Sequence, residues 1–329
     1  MKSIVRLFAG CAMFVGLLPP PAANAQIYPS RPVRILYGNP AGGPGEVVAR
    51  GIAQGLSQAL GQPVVVENRA GADGMIAGEA CARSAPDGYT LCMSDSLSVV
   101  LNPLIRAQMP YDPVRDLAPI VHLGYLGVAV LVNPSVPANT LRELFELVKA
   151  KPGSISWGSS GRASSPNIYM GWLKNAKGIS FYNVPYKGAS QIWQAMLAGE
   201  VQVAQFSIGL AVPSVKAGKA RALFVSTRRR SSLLPDVPTH IEAGMDISLG
   251  AWFGLFASTG TSNEVVQRLN AEVAHGLINN ANLREKFLTS IGIETEAPAG
   301  ASPDAFAAFL KDERDRYASI AKIAGLKVE

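Results

Sequence analysis

Hydrophobic positions along the chain recur with two different periods. Residues 33–37, 64–66 and 89–94 are short apolar runs, the pattern of strands buried in a sheet. Between the first two, Val48, Ile52, Leu56 and Leu60 fall on one face at helical spacing and predict a helix over about residues 46–60. A second helical stretch covers residues 74–83. Strand and helix taking turns in this way predict a mostly parallel sheet covered by helices.

The alternation resumes after about residue 130. Thr140 and Glu143 form a capping box, in which the threonine satisfies a free N–H and the glutamate reaches back. The helix they open carries Leu144, Phe145 and Val148 and stops at Pro152-Gly153. Strands are predicted at residues 155–158, 181–184, 201–207 and 220–226, with helices between them. Thr261 and Glu264 predict a further capped helix whose buried stripe is Val265, Leu269, Val273 and Leu277. The last helix opens at Ser302-Pro303-Asp304, a cap followed by proline at the first helical position. No repeat of fixed period is present, which excludes a solenoid. Two α/β units in tandem imply two lobes.

The first 25 residues change the picture, because they read as a secretory signal peptide. Lys2 and Arg6 precede an apolar stretch at residues 7–18, and those 12 residues are too short for a bilayer core of roughly 30 Å. Ala23-Asn24-Ala25 is a cleavage pattern, so the mature chain is expected to start at Gln26 and to be periplasmic. A lipoprotein signal ending at Cys11 is the competitor, disfavoured by Phe8 and by the few apolar residues before it. No later segment has 18 unbroken apolar residues, so the mature protein is not expected to be membrane-embedded. Of the formal charge of +6, Lys2 and Arg6 contribute two, leaving a mild positive excess that suits anions. Nucleic acid is excluded as a partner, since Arg228-Arg229-Arg230 stands alone without interleaved aromatics. The two cysteines of the mature chain, Cys81 and Cys92, are open to two readings, a bridge in an oxidising compartment or a buried thiol.

Candidate chemistry concentrates in two strand–loop–helix junctions, one in each half. Tyr37 ends the first strand, and Pro40, Ala41, Gly42 and Gly43 lead into a helix. Glycines let backbone approach a ligand, and free N–H groups at a helix start favour an anion. In the second junction Ser159, Ser160, Gly161, Arg162 and Ser164 precede Ser165-Pro166, with Ser165 read as the cap and Pro166 as the first helical residue. Serine hydroxyls donate neutral hydrogen bonds, and Arg162 offers a bidentate charge to a carboxylate. Singly each loop is an ordinary α/β turn; one in each lobe points to a ligand held between them.

The residues expected of an enzyme are missing. No Gly-x-Ser-x-Gly elbow, phosphate loop or dinucleotide fingerprint occurs. His122, His240 and His275 lack neighbours at metal spacing, so neither a metal nor a cofactor is expected. His122 reads as a hydrogen-bonded strand residue, His275 as exposed, and Trp172 and Trp193 as core.

Many further segments carry a resemblance. Tyr28-Pro29-Ser30-Arg31-Pro32-Val33-Arg34, Pro40-Ala41-Gly42-Gly43, Gly61-Gln62-Pro63-Val64-Val65-Val66-Glu67-Asn68-Arg69 and Ala85-Pro86-Asp87-Gly88-Tyr89-Thr90-Leu91 follow in order. Gly158-Ser159-Ser160-Gly161, Val184-Pro185-Tyr186-Lys187-Gly188, Leu234-Pro235-Asp236-Val237-Pro238-Thr239 and Trp252-Phe253-Gly254-Leu255-Phe256-Ala257 continue it. With this spacing the chain resembles the periplasmic receptors of tripartite tricarboxylate transporters, the Bug receptors. The resemblance implies an α/β, two-lobed, type II-like periplasmic binding protein whose chain crosses between lobes twice, near Val130 and Phe253. Residues 26–130 would then begin lobe 1, residues 131–253 form lobe 2, and residues 254–329 return to lobe 1. It implies a monomer that is not an enzyme, closes on a small carboxylate and delivers it to a membrane transporter. A sensory adaptor for a membrane kinase and, more remotely, a periplasmic enzyme are the alternatives. Ser94, Ser96, Tyr186, Lys187, Phe206 and Ser207 join the candidate ligand contacts. Gln202 and Phe206 stand where the family often has acids, which favours a purely anionic or aromatic carboxylate over an amino acid.

Overall fold

The computed structural model describes residues 28–161 and 163–328, so the expected signal peptide and Arg162 lie outside the described residues. From the amino end, β1 (Val33–Tyr37), α1 (Pro44–Leu60), β2 (Val64–Asn68), α2 (Met75–Ala82) and β3 (Thr90–Asp95) alternate. The short helices α3 (Asn102–Ile105) and α4 (Pro113–Asp116) lead to β4 (Leu117–Leu126). A second series follows: β5 (Val128–Val132), α5 (Leu141–Ala150), β6 (Ser156–Ser159), α6 (Ser165–Lys177) and β7 (Tyr182–Pro185). It continues through α7 (Ala189–Ala198), β8 (Val203–Ser207), α8 (Ile208–Lys216) and β9 (Arg221–Val225). Last come β10 (Ala251–Ser258), α9 (Asn263–Val273), α10 (Ala281–Phe287), β11 (Ile293–Glu294) and α11 (Pro303–Ala324).

These strands form two sheets, ordered β11-β4-β10-β3-β1-β2 and β7-β6-β8-β5-β9. They are mixed rather than mostly parallel. β1 runs parallel to β2 and β3, and β6 parallel to β7 and β8. β10 is antiparallel to β3 and β4, and β5 to β8 and β9. The antiparallel members are the strands next to the passages between sheets, whose direction no local period encodes.

Val130 lies within β5 of the second sheet and Phe253 within β10 of the first. The chain leaves the first sheet at Gly127, the one residue between β4 and β5. Gly127 N–H donates to Gly292 O at 2.8 Å and its carbonyl accepts from Ile208 N at 2.9 Å. A Cβ there would meet Ile208 Cδ1 at 2.6 Å and Gly292 O at 3.1 Å, so the passage is tightly packed. The chain returns through residues 226–250, and the two passages are tied together. Ser226 N–H donates to Val128 O at 2.8 Å, and Val128 N–H to Ser226 Oγ at 3.1 Å.

Helix ends follow local chemistry. Thr140 Oγ1 caps α5 by accepting from Glu143 N at 3.2 Å, while Glu143 Oε2 accepts from Asn139 N at 2.6 Å. At α9 the cap is Ser262, not Thr261: Ser262 Oγ accepts from Val265 N at 3.3 Å. The Thr261 hydroxyl is already committed, donating to Ser258 O at 2.8 Å. Ser302 caps α11 and Pro303 opens it.

Three apolar clusters hold the layers together. One packs α1 and α9 on the first sheet through Ile35, Val48, Ile52, Leu56, Leu255 and Leu269. Another fills the side of the second sheet that faces α7 and α8, with Met196, Ala204, Phe206 and Ala211. The third runs from Leu36, Trp252 and Phe256 of the first sheet, through Phe306, Tyr317 and Ile320 of α11, to Tyr169 of α6 and Trp157 and Val130 of the second sheet. α11 therefore bridges both sheets, and Asn175 Nδ2 of α6 donates to Ile323 O at 2.8 Å. A disulfide joins Cys81 of α2 to Cys92 of β3, both fully buried, with Cα atoms 5.9 Å apart.

His122 departs from its expected role. It lies on β4 with no exposed surface, yet neither ring nitrogen has a hydrogen-bond partner. Its ring sits among Tyr125, Trp252, Phe306 and Phe309, with centroids 4.7–5.7 Å away. Aromatic side chains of α11 cover the strand there and exclude donors and acceptors alike. Trp172 is buried, whereas Trp193 is partly exposed.

Candidate functional site

The loop after β1 is built so that backbone can come close to other groups. A Cβ on Gly38 would lie 2.6 Å from Gly74 Cα, so the loop presses against the turn before α2. Asn39 pins it, donating from Nδ2 to Tyr37 OH at 3.1 Å and to Asp95 Oδ2 at 3.2 Å, while Asn68 Nδ2 donates to Asn39 O at 3.1 Å. Tyr37 is buried and its hydroxyl packs where a Cβ on Gly45 would be. Burial, followed by the Asp95 charge, raises the Tyr37 hydroxyl above the ordinary phenol range. Pro40, Ala41 and Gly42 are exposed. Gly42 has φ 92°, and a Cβ on Gly42 or Gly43 would meet nothing within 4 Å. Gly43 is the cap residue of α1, with Pro44 first in the helix.

Glu46, in the first turn of α1, accepts from Gly42 N–H with Oε2 and from Arg50 with Oε1. Its carboxyl is held below the ordinary range by the Gly42 hydrogen bond and then by Arg50.

Asp95 ends β3 beside this loop. Its Oδ1 accepts from Ser98 N at 2.9 Å and from Ser98 Oγ at 2.8 Å. Ser94 and Ser96, the sequence candidates on either side, are buried away from the loop. Ser94 is paired with Gly254 of β10, and Ser96, just past the strand end, is buried as well. Alternation along the strand explains this: the residue between the two serines is the one turned to Asn39.

The second group lies at the end of β6. Ser159 is buried and its Oγ donates to Asn183 Oδ1 at 2.6 Å, while Asn183 Nδ2 donates to Asn167 Oδ1 at 3.1 Å. Ser160 and Gly161 are exposed, and Gly161 has φ 92°. The cap of α6 is Ser164, with Ser165 first and Pro166 second, one residue earlier than the sequence reading. No side chain caps this helix. Ser164 Oγ instead donates to Gly161 O at 2.7 Å, which stiffens the loop, and Ser165 Oγ donates to Leu249 O at 3.0 Å.

Tyr186 joins this group through its N–H, which donates to Ser159 O at 2.8 Å. Lys187 is exposed. Ser207 caps α8 without a side-chain bond. Phe206 does not join them: it is buried edge-on against Trp193 at 4.7 Å, on the face of β8 covered by α7 and α8. Its neighbour Gln205 points to the opposite face, where both amide atoms are buried without a partner.

The sequence reading named both loops but not Asn39, Glu46 and Asp95, the polar groups around the first of them. Both groups lie at the carboxyl ends of parallel strands β1, β3 and β6, where open α/β sheets bind ligands.

A cavity of about 1100 Å³ lies elsewhere, between α11, residues 226–250 and the segment after β11. Tyr125, Trp172, Arg228, Ile247, Phe309 and Arg316 are among its walls, and no candidate loop residue is. Among the described residues no cluster of His, Cys, Asp and Glu is placed to hold a metal, and no helix is long and apolar enough to cross a membrane.

Known proteins share this arrangement. The model of the tripartite tricarboxylate transporter family receptor matches residues 48–326. Protein BugT of Bordetella pertussis is 31% identical over 99% of this chain and 100% of its own length. A solved R. palustris protein with adipate is 30% identical with a TM-score of 0.80, covering 92% of this chain and 100% of the other. MatC from Rhodopseudomonas palustris, with bound malate, is 30% identical with a TM-score of 0.74, covering 89% of this chain and 99% of the other. Two mixed α/β sheets joined by two passages, matched over nearly the whole chain by these proteins, make this a two-lobed periplasmic-binding-protein fold, and the chain belongs to the tripartite tricarboxylate transporter receptor family.

Proposed function

We propose that the protein is a periplasmic solute-binding receptor that captures a small carboxylate between its lobes and hands it to a membrane transporter. The observation that carries this reading is that two relatives, each 30% identical over about nine-tenths of the chain, hold adipate and malate. The candidate site agrees with it chemically. The loop Pro40–Ala41–Gly42–Gly43 and the uncapped start of α6 offer backbone N–H groups, to which Ser160, Gly161, Tyr186 and Lys187 add neutral and charged donors. Arg162, a candidate from the sequence, lies outside the described residues.

Lobe closure is the means of capture. A ligand touching both loops makes its full set of contacts only when the lobes meet, so it shifts the population toward the closed form. Gly127 and the Ser226–Val128 pair mark the axis of that motion. The reading makes the protein a carrier of intact ligand, exported by cleavage after Ala25, rather than a catalyst.

The test is a thermal-shift screen of the mature protein against mono-, di- and tricarboxylates, aliphatic and aromatic, with sugars and amino acids as controls. A ligand at 100 times its Kd stabilises the fold by about 2.7 kcal/mol and raises the melting midpoint. Adipate, malate or another carboxylate raising it selectively supports the reading. A screen in which only sugars shift the midpoint, with no carboxylate recovered from the denatured protein by mass spectrometry, would sink it.

A further inference from the structure

The first-lobe loop carries an anion of its own. Gly42 N–H, the donor that the glycine pattern offers to a ligand, donates to Glu46 Oε2. The other oxygen of Glu46 accepts from Arg50 Nε at 3.0 Å and also from Arg50 Nη2. The glutamate side chain is 8% exposed while that of Arg50 is 65% exposed. Glu46 lies in the first turn of α1 and reaches back to the loop that precedes it, so its carboxylate also neutralises the positive helix end.

One N–H makes one strong hydrogen bond, and two carboxylates at the same donor repel each other. A ligand carboxylate and the Glu46 carboxylate therefore cannot both use Gly42. Arg50 is the group that allows an exchange. It stands one turn further along α1, already holds the second oxygen of Glu46 with two nitrogens, and has an exposed, adaptable side chain. A glutamate released from Gly42 stays charge-paired on Arg50 instead of being left buried and alone.

We propose that Glu46 is a built-in competitor for the ligand, and that a carboxylate enters the first lobe by displacing Glu46 from Gly42 N–H onto Arg50. This inference rests on the carboxylate-receptor reading and adds to it the residue that sets the affinity. In its closed state the receptor carries the ligand's charge at Gly42 in place of its own. On opening, Glu46 returns and helps expel the ligand toward the partner. The competition lowers the apparent affinity by the share of molecules in which Glu46 holds the donor.

The experiment is calorimetric titration of the mature protein with adipate and with malate, in the wild type, Glu46→Gln, Arg50→Gln and the double variant. The amide of Glu46→Gln makes only a neutral hydrogen bond to Gly42, roughly half as strong as the charged one, so affinity for the carboxylate rises about tenfold or more. Arg50→Gln takes away the refuge for the displaced glutamate, so affinity falls. In the double variant the Arg50 effect disappears, because there is no charge left to receive. Weaker or equal binding by Glu46→Gln overturns the proposal and makes Glu46 a fixed brace for the loop. An Arg50 effect that persists in the Glu46→Gln background overturns it as well. Arg50→Gln alters an exposed side chain and keeps the test valid if Glu46→Gln does not fold. If neither probe binds the wild type or any variant, and the carboxylate screen is also blank, the receptor reading fails and this proposal fails with it.

Discussion

His122 shows what a single residue can cost a fold that accepts it. Its two ring nitrogens are buried among Tyr125, Trp252, Phe306 and Phe309 without a partner, and each such atom costs about 1–3 kcal/mol. Burial also pushes its pKa down to about 3. An unfolded histidine titrates near ~6.5, so below that pH the unfolded chain takes up a proton that the folded chain refuses. The sign is therefore that of a depressed pKa: stability is intact above about pH 6.5 and is lost as pH falls toward 3. His122→Phe should raise stability by about 1–3 kcal/mol at neutral pH, and its advantage should widen on acidification. Urea melts of both proteins at several pH values between 7 and 4 measure this. A constant gap across that range would mean that His122 finds a partner. Its strand position was legible in the apolar run before it, but its isolation was not, because the aromatic cover comes from α11, far along the chain.

Helices and strands were more legible than the groups they carry, because their signals are local. The stripe Val48, Ile52, Leu56 and Leu60 is the buried face of α1, and Thr140 caps α5 as its spacing requires. Sheet direction was not legible, since β5 and β10 run antiparallel for reasons of connectivity. Nor was the cap of α9, where two adjacent hydroxyls compete and Ser258 O takes the first. At the site, glycines and serines announced the loops, but Glu46 and Asp95 depend on where side chains turn once the backbone is folded. The two cysteines left two readings open, and the structure closes them into a link between α2 and β3. That link spans a separation of 11 residues, for which loop closure gives about 2–3 kcal/mol. Replacing both cysteines by alanine should lower stability by that amount while leaving carboxylate affinity unchanged. Chemical denaturation and titration of the same variant would separate the two effects, and a loss of affinity would place the link in control of the site.

At the scale of the molecule, two sheets suggest two independent halves, yet α11 belongs to both. Its first turns cover β4 and β10 through Phe306 and Phe309, and its last turns lie on α6, where a Cβ on Gly171 would meet Ala324 O at 2.5 Å. Between them Glu313 accepts from Trp252 Nε1 at 2.9 Å, and Arg316 donates to Ser248 O at 2.7 Å in the returning passage. The apolar cluster around this helix is continuous from one sheet to the other. Neither half can lose its structure without stripping the cover from the other, so the protein should melt once, with calorimetric and van't Hoff enthalpies equal. Two resolved transitions would show that the shared core yields first. A single cooperative unit also means that a genetic split after β9 gives two fragments that cannot fold apart, and that a proteolytic nick in the last helix silences the whole receptor at once.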